Sequence, residues 1–425
     1  MPKIFQRRHS RWYEQVLFSS VFQFLLGFAV VVILPAWFRW SEDFLYFYHS
    51  QTAWNSTFAN AAAFLVFFIA VRYLRNFPGA QSLGYIFPTL IFVWLLAVAV
   101  MFFFRLEYAR QALVASFFVA NVWVLIGYFV RRKYRVLKLA VVPIGKRLSS
   151  SNSVRVNVTL LQTPSLDERR YDAIVADLHA VDLEPEWEKF LARCALARIP
   201  VFHVKQIEES LTGKVQIEHL SENEIGSLLP SQVYSRVKYL IDVLSVFILL
   251  PFLLPIMFIS AILIKVDSKG PALFVQERIG YRGKVFKVIK FRSMYCNIKG
   301  KGFTEGDNDP RITRIGKVIR KFRIDELPQI FNVIKGDMSF IGPRPESKQL
   351  SDWYEKDVPF FAYRHIVKPG ISGWAQVNQG YAAEVDGMTE KLQYDFYYIK
   401  HFSLWLDILI FFKTIRTVFT GFGAR

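Results

Sequence analysis

The sequence predicts a membrane protein of mixed class, in which a bundle of transmembrane helices precedes two α/β domains. Three observations lead to this fold class. The 425 residues are 53% hydrophobic and have a mean hydropathy of +0.24, yet they carry a net charge of +18. Four apolar stretches near the N-terminus are each long enough to cross about 30 Å of hydrocarbon. Further along, short strand patterns alternate with helical ones, which is typical of parallel α/β sheets.

Residues 1–135 are predicted to form a four-helix transmembrane bundle. Basic residues cluster before the first span and after the second and fourth, so the positive-inside rule puts both ends of the bundle in the cytoplasm. The spans contain almost no ionisable residue, which favours an anchor or assembly module over a conduction path. The predicted spans lie near Val16–Leu34, Ser56–Ala70, Ile86–Phe104 and Gln111–Val130.

Residues 136–230 are predicted to form a Rossmann-like cytosolic domain. A dinucleotide site would need a glycine-rich turn after the first strand, but this turn holds the single glycine Gly145. A regulatory or oligomerisation role is therefore favoured over nucleotide binding. The predicted strands are Leu137–Ile144, Val154–Leu161, Tyr171–Leu178 and Ile199–Val204, with a helix at Glu186–Arg198.

Residues 231–425 begin with another apolar helix, and the stretch Val243–Ile264 contains Pro251 and Pro255. A proline removes a backbone donor and kinks a helix. A kinked fifth span would place the basic residues that follow outside the cell. We therefore predict a re-entrant helix at about 240–265 that breaks at Pro255 and returns to the cytoplasmic face.

The chemistry is predicted to lie just after this helix. Residues 269–323 hold 15 basic and 4 acidic residues, and the adjacent carboxylates Asp325 and Glu326 follow at the start of a predicted helix. Nearby cations and a helix N-terminus lower a carboxylate pKa and favour bound anions. An ionised Asp325 could attack phosphorus and form an acyl phosphate, with Glu326 as a hard ligand for Mg²⁺.

Three basic residues are candidate phosphate ligands. Lys290, Arg292 and Arg344 can hold phosphate oxygens, the arginines with two parallel hydrogen bonds each. An Asp-Glu pair alone is more often a charged helix cap, and the surrounding basic cluster weakens that alternative without removing it. Two cysteines and scattered histidines exclude a disulfide scaffold and a cysteine-rich zinc site.

Four ordered motifs between about Lys238 and Phe412 resemble the bacterial sugar transferase family, the polyprenyl-phosphate hexose-1-phosphate transferases. They are KFRSM, the block from DPRIT to IDELPQ, GPRP and PGISGW. The N-terminal architecture resembles the long, WbaP-like members. Leu254 precedes Pro255 where the family commonly has serine, so this chain lacks a hydroxyl that could satisfy a freed carbonyl.

The resemblance implies a catalytic domain with one re-entrant helix and amphipathic helices on the membrane surface. It implies transfer of a sugar 1-phosphate from a UDP-sugar to undecaprenyl phosphate through a covalent phosphosugar–aspartate, with Mg²⁺ and release of UMP, as the first membrane step of surface polysaccharide synthesis. The nucleophile and its partner fall on Asp325 and Glu326, and further family positions fall on Lys290, Arg344 and Asp395. Asp395 is accordingly a predicted part of the phosphate site.

The resemblance also implies a homodimer in the bacterial inner membrane, in contact with membrane lipids and with its catalytic domain on the cytoplasmic face. The apolar pattern of residues 405–419 supports an interfacial amphipathic helix, or one that packs on a partner helix. Two alternatives stay open: a metal-dependent glycosyltransferase that uses Asp307-Asn308-Asp309, and a non-catalytic scaffold for polysaccharide assembly or export. Nucleic-acid binding fits poorly, because the basic stretch lies beside a membrane helix.

Overall fold

The structure is a computed structural model, and it divides the chain into two compact units, Met1–Thr212 and Gly213–Arg425. The three predicted domain ranges stay a prediction. The structure describes residues 8, 11–42, 44–78, 83–134, 136–145, 148, 156–167, 169–180, 182–216, 229–296, 309–379 and 385–420.

The N-terminal unit begins with apolar helices. Their bounds are α1 Trp12–Phe18, α2 Ser20–Trp40, α3 Phe44–His49, α4 Gln51–Leu74, α5 Leu83–Phe103 and α6 Arg110–Tyr134. Helix α2 contains a π-helical turn at Ala29–Ile33, just before Pro35, which lacks the amide hydrogen needed for a regular helical bond. Four of these helices, α2, α4, α5 and α6, are long and apolar enough to cross a membrane.

Those four helices share one apolar core and expose large apolar side chains on the outside. Val31, Phe64, Leu90 and Val124, one from each helix, belong to the same buried cluster. On the outer faces, large side chains such as Phe102 are 78% exposed. Such a surface is unfavourable in water and is the surface of a membrane protein.

A four-stranded parallel sheet follows in the same unit, as the sequence predicts, and its strand order is β2-β1-β3-β4. Its elements are β1 Leu137–Val141, β2 Val156–Leu160, β3 Ala173–Ala176, α7 Pro185–Leu196, β4 Val201–His203 and α8 Val204–Thr212. Alternate strand residues point to opposite faces. Ile174 therefore packs with Trp187 of α7 on one face, while Val175 packs with Ile207 of α8 on the other.

The C-terminal unit combines one very long helix with small sheets and short helices. Its elements are α9 Gln232–Asp267, β5 Leu273–Ile279, β6 Val285–Phe291, α10 Arg314–Lys321, α11 Ile330–Lys335, β7 Ser339–Ile341, α12 Lys348–Asp357, β8 Gly370–Ser372, α13 Trp374–Asn378, α14 Val385–Lys400 and α15 Leu404–Thr420. Strands β5 and β6 form an antiparallel hairpin, and β7 pairs with β8 in parallel.

Helix α9 runs without interruption through both prolines. The predicted break at Pro255 is thus wrong as a gap in the helix, because the residues on either side of the proline keep helical geometry. Residues from both halves, Val246 and Ile264, pack into one apolar cluster of the C-terminal unit. Many of its remaining side chains are exposed and apolar, such as Phe252 at 72%, and the helix is long and apolar enough to cross a membrane.

The last helix, α15, packs on the C-terminal unit through one face. Leu406, Leu409 and Ile410 are buried, whereas Phe411 and Ile415 stay exposed. Lys413 lies 4.1 Å above the ring of Trp374. The helix therefore has one face fixed to the protein and an apolar stripe on the other.

Candidate active site

The β5–β6 hairpin provides two basic residues of the site. Successive side chains of a strand point to opposite faces, so Val288 and Lys290 lie on one face of β6. Arg278 extends from β5, and its guanidinium donates to the backbone oxygen of Pro345 and to Oε1 of Gln276. Strand pairing thus places a lysine and an arginine next to the loop that contains Arg344.

Asp325 and Glu326 lie on a 3₁₀ turn, Ile324–Gln329, that leads into α11. Arg323 precedes this turn with φ of 55°, in the left-handed region that non-glycine residues rarely adopt. This conformation turns the chain after α10 and brings the carboxylate dyad, Asp325 and Glu326, to the hairpin. The predicted helix start is confirmed, but its first turn is 3₁₀.

Glu326 is buried and surrounded by three cations. Its Oε1 atom accepts a hydrogen bond of 2.6 Å from Nη2 of Arg344 and lies 3.8 Å from Nζ of Lys290. Its Oε2 atom lies 3.9 Å from Nη1 of Arg323. Burial opposes ionisation, but these cations outweigh it and hold the pKa of the Glu326 carboxyl at about 2. Glu326 is therefore an anion that is fixed in place.

Asp325 differs from its neighbour. Its carboxylate makes no ion pair or hydrogen bond with any residue that the structure describes, and its side chain is partly exposed. Burial and the charge of Glu326 raise its pKa to about 6. Two adjacent carboxylates with such different environments indicate different roles. Glu326 is held by cations, and Asp325 is free to react.

The basic residues respond to the same crowding. Burial and the charge of Arg344 lower the pKa of Lys290 to about 7. Burial likewise lowers the pKa of Arg278 to about 10, whereas Glu326 raises the pKa of Arg344. A bound anion would relieve this mutual repulsion. The site is thus suited to phosphate groups.

Glycines bring the Arg344 loop into position. A side chain at Gly370 would lie 2.1 Å from the backbone nitrogen of Gly342, and one at Gly342 would lie 2.4 Å from the backbone oxygen of Lys368. Only glycine fits such a close approach of two backbones. The GPRP and PGISGW motifs therefore pack directly on one another and fix the position of Arg344.

Asp395 does not reach the dyad. It is 1% exposed, and its Oδ2 atom lies 2.7 Å from Nη2 of Arg364. Arg364 in turn donates to the backbone oxygen of Arg344 at 2.9 Å. The role of Asp395 in the phosphate site stays a prediction; in the structure it is a buried carboxylate that supports the Arg344 loop through Arg364. Burial raises its pKa.

Arg292 is also placed elsewhere. Its guanidinium donates to the backbone oxygens of Lys269 at 2.8 Å and Ser268 at 2.7 Å, and to Oγ of Ser268 at 2.9 Å. Ser268 and Lys269 directly follow α9, and Nη2 of Arg292 also lies 3.4 Å from the backbone oxygen of Ile264 in the last turn of the helix, where carbonyls lack partners within the helix. The structure thus directs the Nη atoms of Arg292 to the end of α9 and not to the dyad, and phosphate binding by Arg292 stays a prediction.

A narrow pocket is lined by Lys290 and Arg344, the two cations that contact Glu326. It has no room for a water molecule in the free protein, and about 180 Å³ of space when the open solvent at its mouth is included. Arg278 and Gln329 line it but were not predicted as site residues. The alternation along β5 could have indicated Arg278, whereas the position of Gln329 depends on the 3₁₀ turn. The full lining is Arg278, Val288, Lys290, Gln329, Arg344, Pro345 and Gly370.

The Asp307-Asn308-Asp309 alternative is only partly visible. Asp307 and Asn308 lie outside the described residues, and Asp309 is 3% exposed. Its Oδ2 atom lies 2.6 Å from Nη2 of Arg311. This ion pair occupies the Asp309 carboxylate that the alternative would need for a metal.

A known protein family and several known proteins are similar to this chain. Residues 233–421 match the family model described as bacterial sugar transferase. The UDP-N-acetylgalactosamine-undecaprenyl-phosphate N-acetylgalactosaminephosphotransferase of Aeromonas hydrophila is 51% identical over 423 residues, 99% of this chain and 100% of the relative. The UDP-glucose:undecaprenyl-phosphate glucose-1-phosphate transferase of Escherichia coli (strain K12) is 40% identical over 185 residues, 43% of this chain and 39% of that protein.

Proposed function

Because the chain belongs to the bacterial sugar transferase family, we propose that it transfers a sugar 1-phosphate from a UDP-sugar to undecaprenyl phosphate and releases UMP. The observation that carries this function is the difference between the two carboxylates of the dyad. Arg344 holds Glu326, whereas Asp325 makes no ion pair or hydrogen bond with the described residues and lies near a pocket lined by basic residues. The full-length similarity to the Aeromonas hydrophila enzyme makes UDP-N-acetylgalactosamine the proposed donor.

In the first step, a carboxylate oxygen of Asp325 attacks the phosphorus that bears the sugar. A new oxygen–phosphorus bond forms, and the bond to the bridging oxygen breaks, so that UMP leaves with the electron pair. Asp325 must be ionised for this attack, and its pKa of about 6 leaves it mostly ionised at neutral pH. Lys290, Arg278 and Arg344 offset the phosphate charges that would otherwise repel the nucleophile.

In the second step, an oxygen of undecaprenyl phosphate attacks the same phosphorus. The bond to Asp325 breaks, the carboxylate is restored, and the sugar leaves on a lipid diphosphate. Glu326 keeps its charge throughout and holds Arg344 in place. One residue thus alternates between nucleophile and leaving group, while its neighbour orients the cations.

Mg²⁺ is part of this proposal. Among the described residues, no group of three or more His, Cys, Asp or Glu side chains could hold a metal ion. Mg²⁺ needs fewer, since it commonly binds one or two carboxylates and completes its shell with water and substrate phosphates. Asp325 and Glu326 would provide those carboxylates, and the bound ion would supply further charge neutralisation at the diphosphate.

The proposed location is the cytoplasmic face of the inner membrane. The N-terminal helices form the four-helix transmembrane bundle, the parallel sheet forms the Rossmann-like domain, and α15 lies at the membrane surface through Phe411 and Ile415. We propose that helix α9 enters the bilayer, bends at Pro251 and Pro255 while staying helical, and returns on the same side. Its support is that both ends contact the same catalytic unit: Tyr239 donates to the backbone oxygen of Ile334, and Asp267 accepts from the backbone nitrogen of Ile315.

Introduced cysteines test this topology, since the remaining native cysteine, Cys194, is buried. In a Cys296→Ser background, we introduce Ser231→Cys before α9 or Lys269→Cys after it. A membrane-impermeant maleimide should label both from the cytoplasmic side of sealed vesicles. Labelling of the two positions from opposite sides would show a crossing helix instead. The homodimer is tested separately, by the mass of the purified protein in lipid nanodiscs.

Product analysis tests the reaction itself. Purified protein in nanodiscs is incubated with UDP-N-acetylgalactosamine, Mg²⁺ and undecaprenyl phosphate. The proposal requires UMP and a lipid-linked sugar diphosphate, as one step of polysaccharide synthesis. UDP as the product would indicate the Asp-x-Asp glycosyltransferase, and an absence of either nucleotide with all UDP-sugars tried would indicate a scaffold.

A further inference from the structure

Gln329 lies in the pocket although no step above uses it. It is the last residue of the 3₁₀ turn that begins at Ile324. Side chains three residues apart in a 3₁₀ helix lie one above the other. Glu326 and Gln329 therefore project from the same side of the turn, and Gln329 lines the pocket together with Lys290 and Arg344.

The Gln329 amide is buried without a partner. The residue is 3% exposed, and its buried Nε2 has no hydrogen-bond acceptor among the residues that the structure describes. Gln329 also precedes α11 without capping it. A buried donor that lacks an acceptor destabilises the free protein. Such a donor in a pocket points to an acceptor that arrives with the ligand.

The chemistry of the lining identifies that acceptor. The other polar side chains around the pocket are Arg278, Lys290 and Arg344, all basic. Arg344 is already bonded to Glu326, and Lys290 lies within 3.8 Å of the same carboxylate. Gln329 thus adds a donor that Glu326 does not occupy. An anionic oxygen satisfies the amide and the cations at once.

We infer that Gln329 is a further substrate-binding residue, whose Nε2 donates a hydrogen bond to a phosphate oxygen of the UDP-sugar. This inference rests on the proposed function, because it assumes that a sugar nucleotide occupies the pocket. It assigns a role to the glutamine of the IDELPQ motif that neither its exposure nor its contacts within the protein explain.

The decisive variant is Gln329→Met, which keeps the length and shape of the side chain and removes the donor. Because the free protein loses no hydrogen bond, its thermal midpoint should stay the same or rise. A hydrogen bond to a charged group is worth about 1.5–3 kcal/mol. The Kd for UDP-N-acetylgalactosamine should therefore increase about 10- to 100-fold, measured by calorimetry in an Asp325→Asn background that cannot turn the substrate over.

Controls separate this inference from the proposed function. Gln379→Met removes a glutamine amide that is bonded inside the protein, to the backbone oxygen of Gly387, and should leave the Kd unchanged. Gln329→Glu puts a negative charge beside the phosphates and should weaken binding more than Gln329→Met. Unchanged affinity in both Gln329 variants, with wild-type UMP release intact, would overturn the inference alone. Absence of UMP release in the wild type would instead overturn the proposed function.

Discussion

Arg292→Lys tests whether Arg292 stabilises the fold, while Arg344 acts in the active site. Arginine at this position makes three hydrogen bonds of 2.7–2.9 Å to the end of α9. Lysine keeps the charge but has a single nitrogen, so at least one of these bonds is lost. At about 1.5–3 kcal/mol for each bond to a charged group, the expected loss of stability is about 3 kcal/mol.

That loss is large enough to measure. For a domain of about 200 residues, each 1 kcal/mol shifts the melting temperature by about 2–4 °C, so the expected decrease is about 6–12 °C. Thermal unfolding in nanodiscs measures it, and UMP release at a temperature well below both midpoints measures activity. Because Arg292 does not contact the dyad, kcat/KM of the remaining folded protein should change less than about threefold.

Arg344→Lys is the matched control, since it makes the same change at the dyad. Arg344 has a side chain that is 28% exposed and bonds to Glu326. Its variant should lose at least about 100-fold in kcat/KM, as expected when a positioned donor is removed, with a shift in melting temperature of no more than about 4 °C. If Arg292→Lys instead kept its melting temperature and lost activity, Arg292 would be a phosphate ligand as the sequence alone indicated.

Three further predictions follow. Lys290→Met should lower kcat/KM at least about 100-fold in the UMP-release assay, since it removes a cation beside the phosphates; activity near that of the wild type would contradict this role. Cys194 is fully buried and burial raises its pKa to about 12, so a maleimide should label exposed Cys296 in the native protein and Cys194 only after unfolding, as peptide mass spectrometry would show. Burial and the charge of Arg364 lower the pKa of His365 from its usual 6.5 to about 4. The folded protein therefore favours the neutral ring, which stabilises the fold above pH 6.5. This stabilisation is lost as the pH falls from 6.5 towards 4. Because the ring is partly exposed, we expect the wild type to lose about 1–2 kcal/mol more than His365→Gln between pH 7 and pH 5, and equal losses in denaturant titrations would refute the shift.

Much of the fold follows from local pattern. The apolar spans are long enough to be recognised, and the four strands of the parallel sheet appear where buried runs alternate with helices. Strand ends were predicted up to three residues too long, because apolar residues such as Pro143 and Ile144 continue past the last paired residue, Val141. Hydrophobicity indicates burial, while pairing depends on neighbours that the sequence does not show.

The sequence correctly predicted that four charged residues of the recognised motifs lie together. Asp325, Glu326, Lys290 and Arg344 meet in the structure. Arg292 lies two residues after Lys290 but does not reach the dyad. Strand β6 ends at Phe291, and the Arg292 side chain instead bonds to the residues at the end of α9. Such long-range pairing of a side chain with helix carbonyls leaves no local pattern in the sequence.

If Asp325 is the nucleophile, it becomes covalently bonded to the phosphosugar during the reaction. The direct measurement is peptide mass spectrometry after incubation of purified protein with UDP-N-acetylgalactosamine and Mg²⁺ in the absence of undecaprenyl phosphate. A phosphosugar should appear on the peptide that contains Asp325, in an amount equal to the UMP released. It should be lost on addition of the lipid and be absent in Asp325→Asn. UMP release that requires the lipid, with no adduct at any stage, would contradict it.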